Sequence, residues 1–72
     1  MCDMLYVGSN SVKRREVSRI FKKNSIEFVA SNEGMEKINS GKYNPIILQG
    51  DLKKLPDFFE QSKLKELHVL VI

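Results

Sequence analysis

Met4-Leu5-Tyr6-Val7-Gly8-Ser9-Asn10 is the stretch on which the reading of the fold turns. Four strand-forming apolar residues run together and stop at a cluster of turn formers, the pattern of a buried strand. Working outward, Ser11 offers an N-cap, and Ser11 to Asn24 has helical chemistry without Gly or Pro. Val12, Val17, Ile20 and Phe21 supply the apolar face, and Lys and Arg fill the rest. Ile26 to Ala30 reads as a second strand. Ser31-Asn32 then caps a short helix, with Met35 and Ile38 three apart on one face, stopped by Ser40-Gly41.

Farther on, Tyr43 precedes Pro45-Ile46-Ile47-Leu48, a third strand bounded by Pro45 and Gly50. Proline is tolerated at a strand's first position, where its missing donor matters least. The polar stretch from Asp51 to Leu55 reads as a loop. Pro56 suits the first turn of a third helix, with Phe58 and Phe59 expected inward. Ser62 to Glu66 is the expected connection, and His68-Val69-Leu70-Val71-Ile72 the fourth strand. The order is βαβαβαβ. Continuous rather than alternating apolar strands imply a sheet covered on both faces, hence a three-layer α/β parallel sheet in a single domain, residues 1–72.

Composition sets limits. A chain of 72 residues buries only about 60% of the surface its unfolded form exposes. An apolar share of 42% with 29% charged residues argues against disorder. The net charge is +3, and Lys13, Arg14, Arg15, Arg19, Lys22 and Lys23 concentrate in the first helix. That pattern reads as a solvated helix face, not as a direct nucleic-acid interface, which would need steeply salt-dependent binding. The lone cysteine, Cys2, has no partner in the chain, so the expected compartment is the cytoplasm. The longest apolar run, Val69 to Ile72, is far too short to span a bilayer, and Asp3 interrupts any signal-peptide pattern.

Chemistry-bearing motifs are sparse. Gly8 is the only glycine in the first strand–helix turn, short of the three a dinucleotide fingerprint uses. Gly41-Lys42 is followed by Tyr43 instead of the Ser or Thr of a phosphate-binding loop. His68 and Cys2 lie at opposite ends of the chain, and a lone histidine in a strand is no metal site. His68 has no acidic orienting partner nearby in sequence, and Asp51, Asp57 and Glu60 read as charged surface. Neither an enzyme nor a bound cofactor is expected.

The first strand with its turn, Met4 to Asn10, resembles the "ILIVDDN" of bacterial CheY-like receiver domains. Tyr43-Asn44-Pro45-Ile46-Ile47-Leu48-Gln49 resembles that family's third strand, "YDLVLLD". The resemblance covers nearly the whole chain and implies a shortened flavodoxin/CheY-like fold with strand order 2-1-3-4. The departures concern chemistry. Gly8 and Ser9 stand where receivers hold Mg²⁺ with an acidic pair, and neutral groups cannot supply that charge. Gln49 stands where receivers carry the phosphorylated aspartate, and an amide forms no acyl phosphate. Gly8, Ser9 and Gln49 are thus a degenerate phosphorylation pocket, with Asp51 a poor displaced acceptor.

The family continues past the fourth strand with a helix, a fifth strand and a last helix. Here the fourth strand becomes a sheet edge, so Val69, Leu70, Val71 and Ile72, with Phe58 and Phe59 beneath them, are the expected homodimer surface. The pattern of losses is similar to that of the N-terminal domains of flagellar-regulator-type, sigma-54-dependent transcription activators. It implies a non-phosphorylated regulatory module acting by protein contact, with DNA bound by another domain. The alternative is a nucleotide-sensing role for the crevice at the strand C-termini, lined by Gly8, Ser9, Asn10, Gln49 and Gly50.

Overall fold

The computed structural model describes residues 3–72; Cys2 lies outside them. Seven elements alternate along the chain. They are β1 (Met4–Val7), α1 (Ser11–Ile20), β2 (Ile26–Val29), α2 (Ser31–Asn39), β3 (Ile46–Leu48), α3 (Leu55–Leu64) and β4 (Val69–Val71). The strands form one parallel sheet in the order 2-1-3-4. This is the α/β architecture expected from the sequence, and its order is that of the first four strands of flavodoxin-like folds.

Alternation along the strands divides the core into two layers. On one face Leu5, Val7, Val29, Ile46 and Leu48 pack with Ile38 of α2 and Phe58 of α3, joined by Tyr43 and Leu67. On the other face Met4, Tyr6 and Ile47 lie beneath Val17 of α1, with Phe21, Ile26 and Phe28 at the margin. Two helices thus cover one face and a single helix the other. The single helix has consequences for β4. Ile47 is paired with Leu70 and shares its face, yet Ile47 is fully buried whereas Leu70 is 46% exposed.

Close packing of α2 depends on Gly34. A Cβ there would meet Val7 Cγ1 at 2.6 Å and Phe58 Cε1 at 3.0 Å. The missing side chain lets the helix backbone rest on β1 and the Phe58 ring.

Several local expectations are corrected. Helix α1 stops at Ile20, and the turn of residues 21–24 follows, because the chain must reverse to bring Ile26 level with Met4. Its cap is Asn10, whose Oδ1 accepts from Lys13 N at 3.0 Å, rather than Ser11. Ser31 and Asn32 sit inside the first turn of α2, with Ala30 at the cap and no side-chain cap bond. Only one residue separates β2 from that helix. Helix α3 runs on to Leu64 through Ser62, whose buried Oγ donates to Phe58 O at 2.8 Å and so tolerates an apolar setting.

The apolar face of α1 is narrower than its periodicity suggests. Val17 is buried, whereas Val12 and Ile20 are 61% and 70% exposed. Phe58 and Phe59 do not share an inward face, since adjacent helical residues point about 100° apart. Phe58 is buried in the core, while Phe59 is exposed and carries the Lys63 ammonium 5.4 Å from its ring centroid.

Candidate functional site

The chain leaves β1 toward β2 and leaves β3 toward β4, so the connections diverge at the carboxyl ends of β1 and β3. Open parallel sheets form a crevice at such a divergence. Here it measures about 490 Å³ and is walled by Gly8, Ser9, Gln49 and the loop from Asp51 to Lys54, with Ser31, Asn32 and Phe58 completing it.

Gln49 organises its apex. The side chain is buried beside the last residue of β3 and is held on three sides. Its Oε1 accepts from the Tyr6 hydroxyl at 2.9 Å and from Asn10 N at 3.1 Å, and its Nε2 donates to Asp51 Oδ1 at 2.6 Å. Gly8 makes room for it. At φ +151° the backbone is in a region that side-chain-bearing residues avoid. A Cβ at that position would sit 2.7 Å from Gln49 Cβ and closer still to Oε1. The Gly8 carbonyl accepts from Arg14 Nε at 2.8 Å, and the Arg14 guanidinium lies 5.8 Å from the Phe28 ring centroid. Phe28 in turn packs on Tyr6, with ring centroids 5.5 Å apart.

Electrostatics follow the packing. Burial pushes the Tyr6 phenol above its ordinary value, Arg14 pulls it down, and Asp51 adds a smaller upward push. The phenol therefore stays protonated and donates to the Gln49 oxygen. Among the described residues no buried side-chain nitrogen or oxygen lacks a hydrogen-bond partner. Among the same residues, no three or more His, Cys, Asp or Glu side chains gather in a group able to hold a metal ion.

Gly8, Ser9 and Gln49 are brought together as the sequence implies. Asn10 and Gly50 are not part of the lining. The Asn10 side chain turns away to cap α1, and Gly50 N donates to Ile72 O at 2.6 Å, which ties it to β4. The expected neutral lining also misses Asp51, Lys53 and Lys54, along with Ser31, Asn32, Leu52 and Phe58. Their signal was the topology itself, because every loop that follows a strand of a parallel sheet gathers at one end.

The second candidate surface is β4. Leu70, Val71 and Ile72 are 46%, 44% and 38% exposed, and Val69 is half-buried against the α2/α3 side of the core. Phe58 does not belong to this surface, since at 3% exposure it is out of a partner's reach. The opposite edge differs. Glu27 in β2 bonds Lys37 Nζ at 2.8 Å and accepts from the Tyr43 hydroxyl at 2.8 Å, so a charged clamp stands in that strand. Charge on an edge strand discourages pairing with another chain, and β4 has none.

The fold and crevice define the class as a parallel α/β domain with a polar pocket at the β1/β3 divergence. Comparison with protein-family models, characterised proteins and solved structures finds no match to the chain. Among the described residues no helix is long and apolar enough to cross a membrane.

Proposed function

We propose that the chain is a receiver-like regulatory module that takes no phosphoryl group and acts by protein contact, as a homodimer joined through β4. It is not an enzyme. Its setting is cytoplasmic, within a bacterial signalling or sigma-54-dependent transcription regulator whose other domains contact DNA. The observation that carries this reading is the asymmetry of the two sheet edges. The β2 edge holds the Glu27–Lys37–Tyr43 clamp, whereas β4 presents Leu70, Val71 and Ile72 without charge. The Gln49 apex supports it further, because an amide bonded on three sides stands at the end of β3, where the resemblance to receivers would put a phosphorylated aspartate.

The test is solution mass by light scattering over a concentration series, for the parent and Val71→Lys. A dimer that becomes a monomer in the variant supports the reading. A monomeric parent at the highest concentrations overturns it.

A second reading is favoured by the crevice of about 490 Å³. Its volume falls in the range of small-molecule sites, and Lys53 and Lys54 against the single carboxylate of Asp51 leave its lining net cationic, which suits a nucleotide. Titration with nucleotides, followed by amide chemical shifts of Ser9 and Ser31, separates the two. Shifts at those residues favour ligand sensing, and their absence sets it aside.

A further inference from the structure

We infer that the outer face of α1 is a docking surface for an acidic amphipathic helix of a partner protein. Residues 11–25 hold six cations against Glu16, a local charge of +5 in a chain whose total is +3, so the remainder sums to −2. Lys13 is half-buried, and Arg14 is engaged by the Gly8 carbonyl and the Phe28 ring. Arg15, Arg19, Lys22 and Lys23 are exposed, and among the described residues none of them pairs with a carboxylate.

Folding does not ask for this pattern. The amino end of a helix favours acids and disfavours cations. Yet the first turn of α1 holds no acid, and Lys13, Arg14 and Arg15 stand together in the first half of the helix. Arg15 and Arg19 are also one turn apart, where like charges repel. An arrangement that works against its own helix points to a use outside it.

Arg15 and Arg19 lie two residues either side of the buried Val17, hence about 200° around the helix from the side chain that meets the sheet. The stripe points straight outward, so an element laid beside α1 on the sheet would leave it open. Val12, Glu16 and Ile20 repeat every four residues and form the neighbouring ridge. Val12 and Ile20 are 61% and 70% exposed, and Glu16 is exposed between them.

The mixture of side chains selects the partner. A nucleic-acid backbone is repelled by Glu16 and has no use for Val12 and Ile20. An anionic lipid surface calls for aromatic or large apolar anchors among the cations, and the Phe21 ring is turned to the margin of the core instead. A helix with carboxylates three or four residues apart repeats at the spacing of Arg15 and Arg19, about 6 Å of rise. Its apolar side chains then meet Val12 and Ile20. Among the described residues no helix supplies that surface. In α2, Glu33 and Glu36 are offset by Lys37, and in α3, Asp57 and Glu60 by Lys63. The acidic helix therefore belongs to a different protein.

The test uses the full chain and a synthetic helical peptide of glutamate, leucine and alanine, with a control in which glutamine replaces glutamate. Amide chemical shifts locate the contact, and titrations over a salt series measure it. The acidic peptide should shift the amides from Val12 to Lys23 and bind more weakly as salt rises. The double variant Arg15→Glu, Arg19→Glu should lose roughly tenfold in affinity. Val12→Ser and Ile20→Ser should each weaken binding a few-fold. All four positions face solvent, and circular dichroism checks that the variants fold. The double variant should match the parent in light scattering, which keeps this result separate from the β4 dimer. Absence of shifts in α1, or equal binding of the glutamine control, overturns the inference. Loss in the double variant with none in Val12→Ser or Ile20→Ser reduces the contact to unspecific charge attraction and overturns it as well. Tighter binding of duplex DNA, or of vesicles of phosphatidylserine and phosphatidylcholine, would assign the stripe to that polyanion instead.

Discussion

The Tyr6 hydroxyl donates to Gln49 Oε1 at 2.9 Å, tying β1 to the end of β3 from within the buried layer beneath α1. The bond is local in space but spans 43 residues of chain. It therefore reports on tertiary packing and not on any single element. Tyr6→Phe removes the donor while Asn10 N still satisfies the Gln49 oxygen. The expected loss is about 1 kcal/mol. Gln49→Leu is worse, because the Tyr6 hydroxyl and Asn10 N both lose an acceptor, and about 2–3 kcal/mol is expected. Urea unfolding of the two single variants and the double variant checks this. The double variant should cost less than the sum, since the two changes act on one bond.

The same phenol provides a test with pH. Its ionisation lies above the ordinary value of 10.0 in the folded chain, chiefly through burial. The folded state therefore holds the Tyr6 proton more tightly than the unfolded state. The stability linked to this group is fully present below pH 10.0 and is lost as pH rises through the folded value. An alkaline titration of phenolate absorbance should show a late-ionising tyrosine in the parent that is missing from Tyr6→Phe. A parent whose phenolate absorbance rises no later than that of Tyr6→Phe would contradict the buried setting of Tyr6.

The acid side is governed by another pair. The Lys37 hydrogen bond, followed by that of Tyr43, holds the Glu27 carboxyl below its ordinary value of 4.5, and Glu27 raises Lys37 in return. A depressed carboxylate contributes stability above its unfolded value and loses it as pH falls through the folded one, so the window opens below pH 4.5. The pair is at the surface, so the effect is small and screened by salt. Lys37→Met should flatten the acid limb of the stability curve at low ionic strength and change little at neutral pH in high salt. Thermal unfolding at several pH values measures it.

The element types and their order were legible in the sequence because each strand is a short apolar run closed by turn formers. Met4–Val7 with Gly8-Ser9-Asn10 is the clearest instance, and Ile46–Leu48 before Gly50 is another. The strand order came from a resemblance to receivers, and the parallel sheet obeys it. Side-chain destinations were less legible where one helix had to choose which apolar residues to bury. Phe58 and Phe59 have the same composition signal, and only the helix phase set by Gly34 and Val7 separates them. Lys53 and Lys54 were read as loop surface, since nothing local says that a loop after β3 and the start of α2 share one crevice. Gln49 stood out only through the resemblance to receivers, and its bond to Tyr6 depends on the β1–β3 pairing, which no spacing encodes.

Gly34 offers a prediction opposite to helix propensity. Alanine within a helix is ordinarily about 1 kcal/mol better than glycine. At Gly34 the added Cβ meets Val7 and Phe58 well inside van der Waals contact. Pushing α2 off the sheet costs about 1–3 kcal/mol, so Gly34→Ala should destabilise on balance. Gly34→Val should do so more severely. Chemical denaturation ranks the three, and a Gly34→Ala variant more stable than the parent would contradict the close approach of α2 to β1.

The two phenylalanines of α3 separate stability from association. Phe58 is buried among Val7, Ile38 and their neighbours, and truncation of such a ring costs about 3–5 kcal/mol. In a domain of this size that is much of the total, so Phe58→Ala should leave the chain largely unfolded by circular dichroism. Phe59 is 42% exposed, with only the Lys63 ammonium over its ring. Its change to Ser should stay within about 0.5 kcal/mol of the parent, as for surface sites generally. If α3 flanks the β4 interface, Phe59→Ser should weaken self-association a few-fold while leaving the unfolding midpoint unaltered. Val71→Lys acts at the strand edge itself and should abolish association. Equal association of Phe59→Ser and the parent would confine the contact to the strand edge and remove α3 from it.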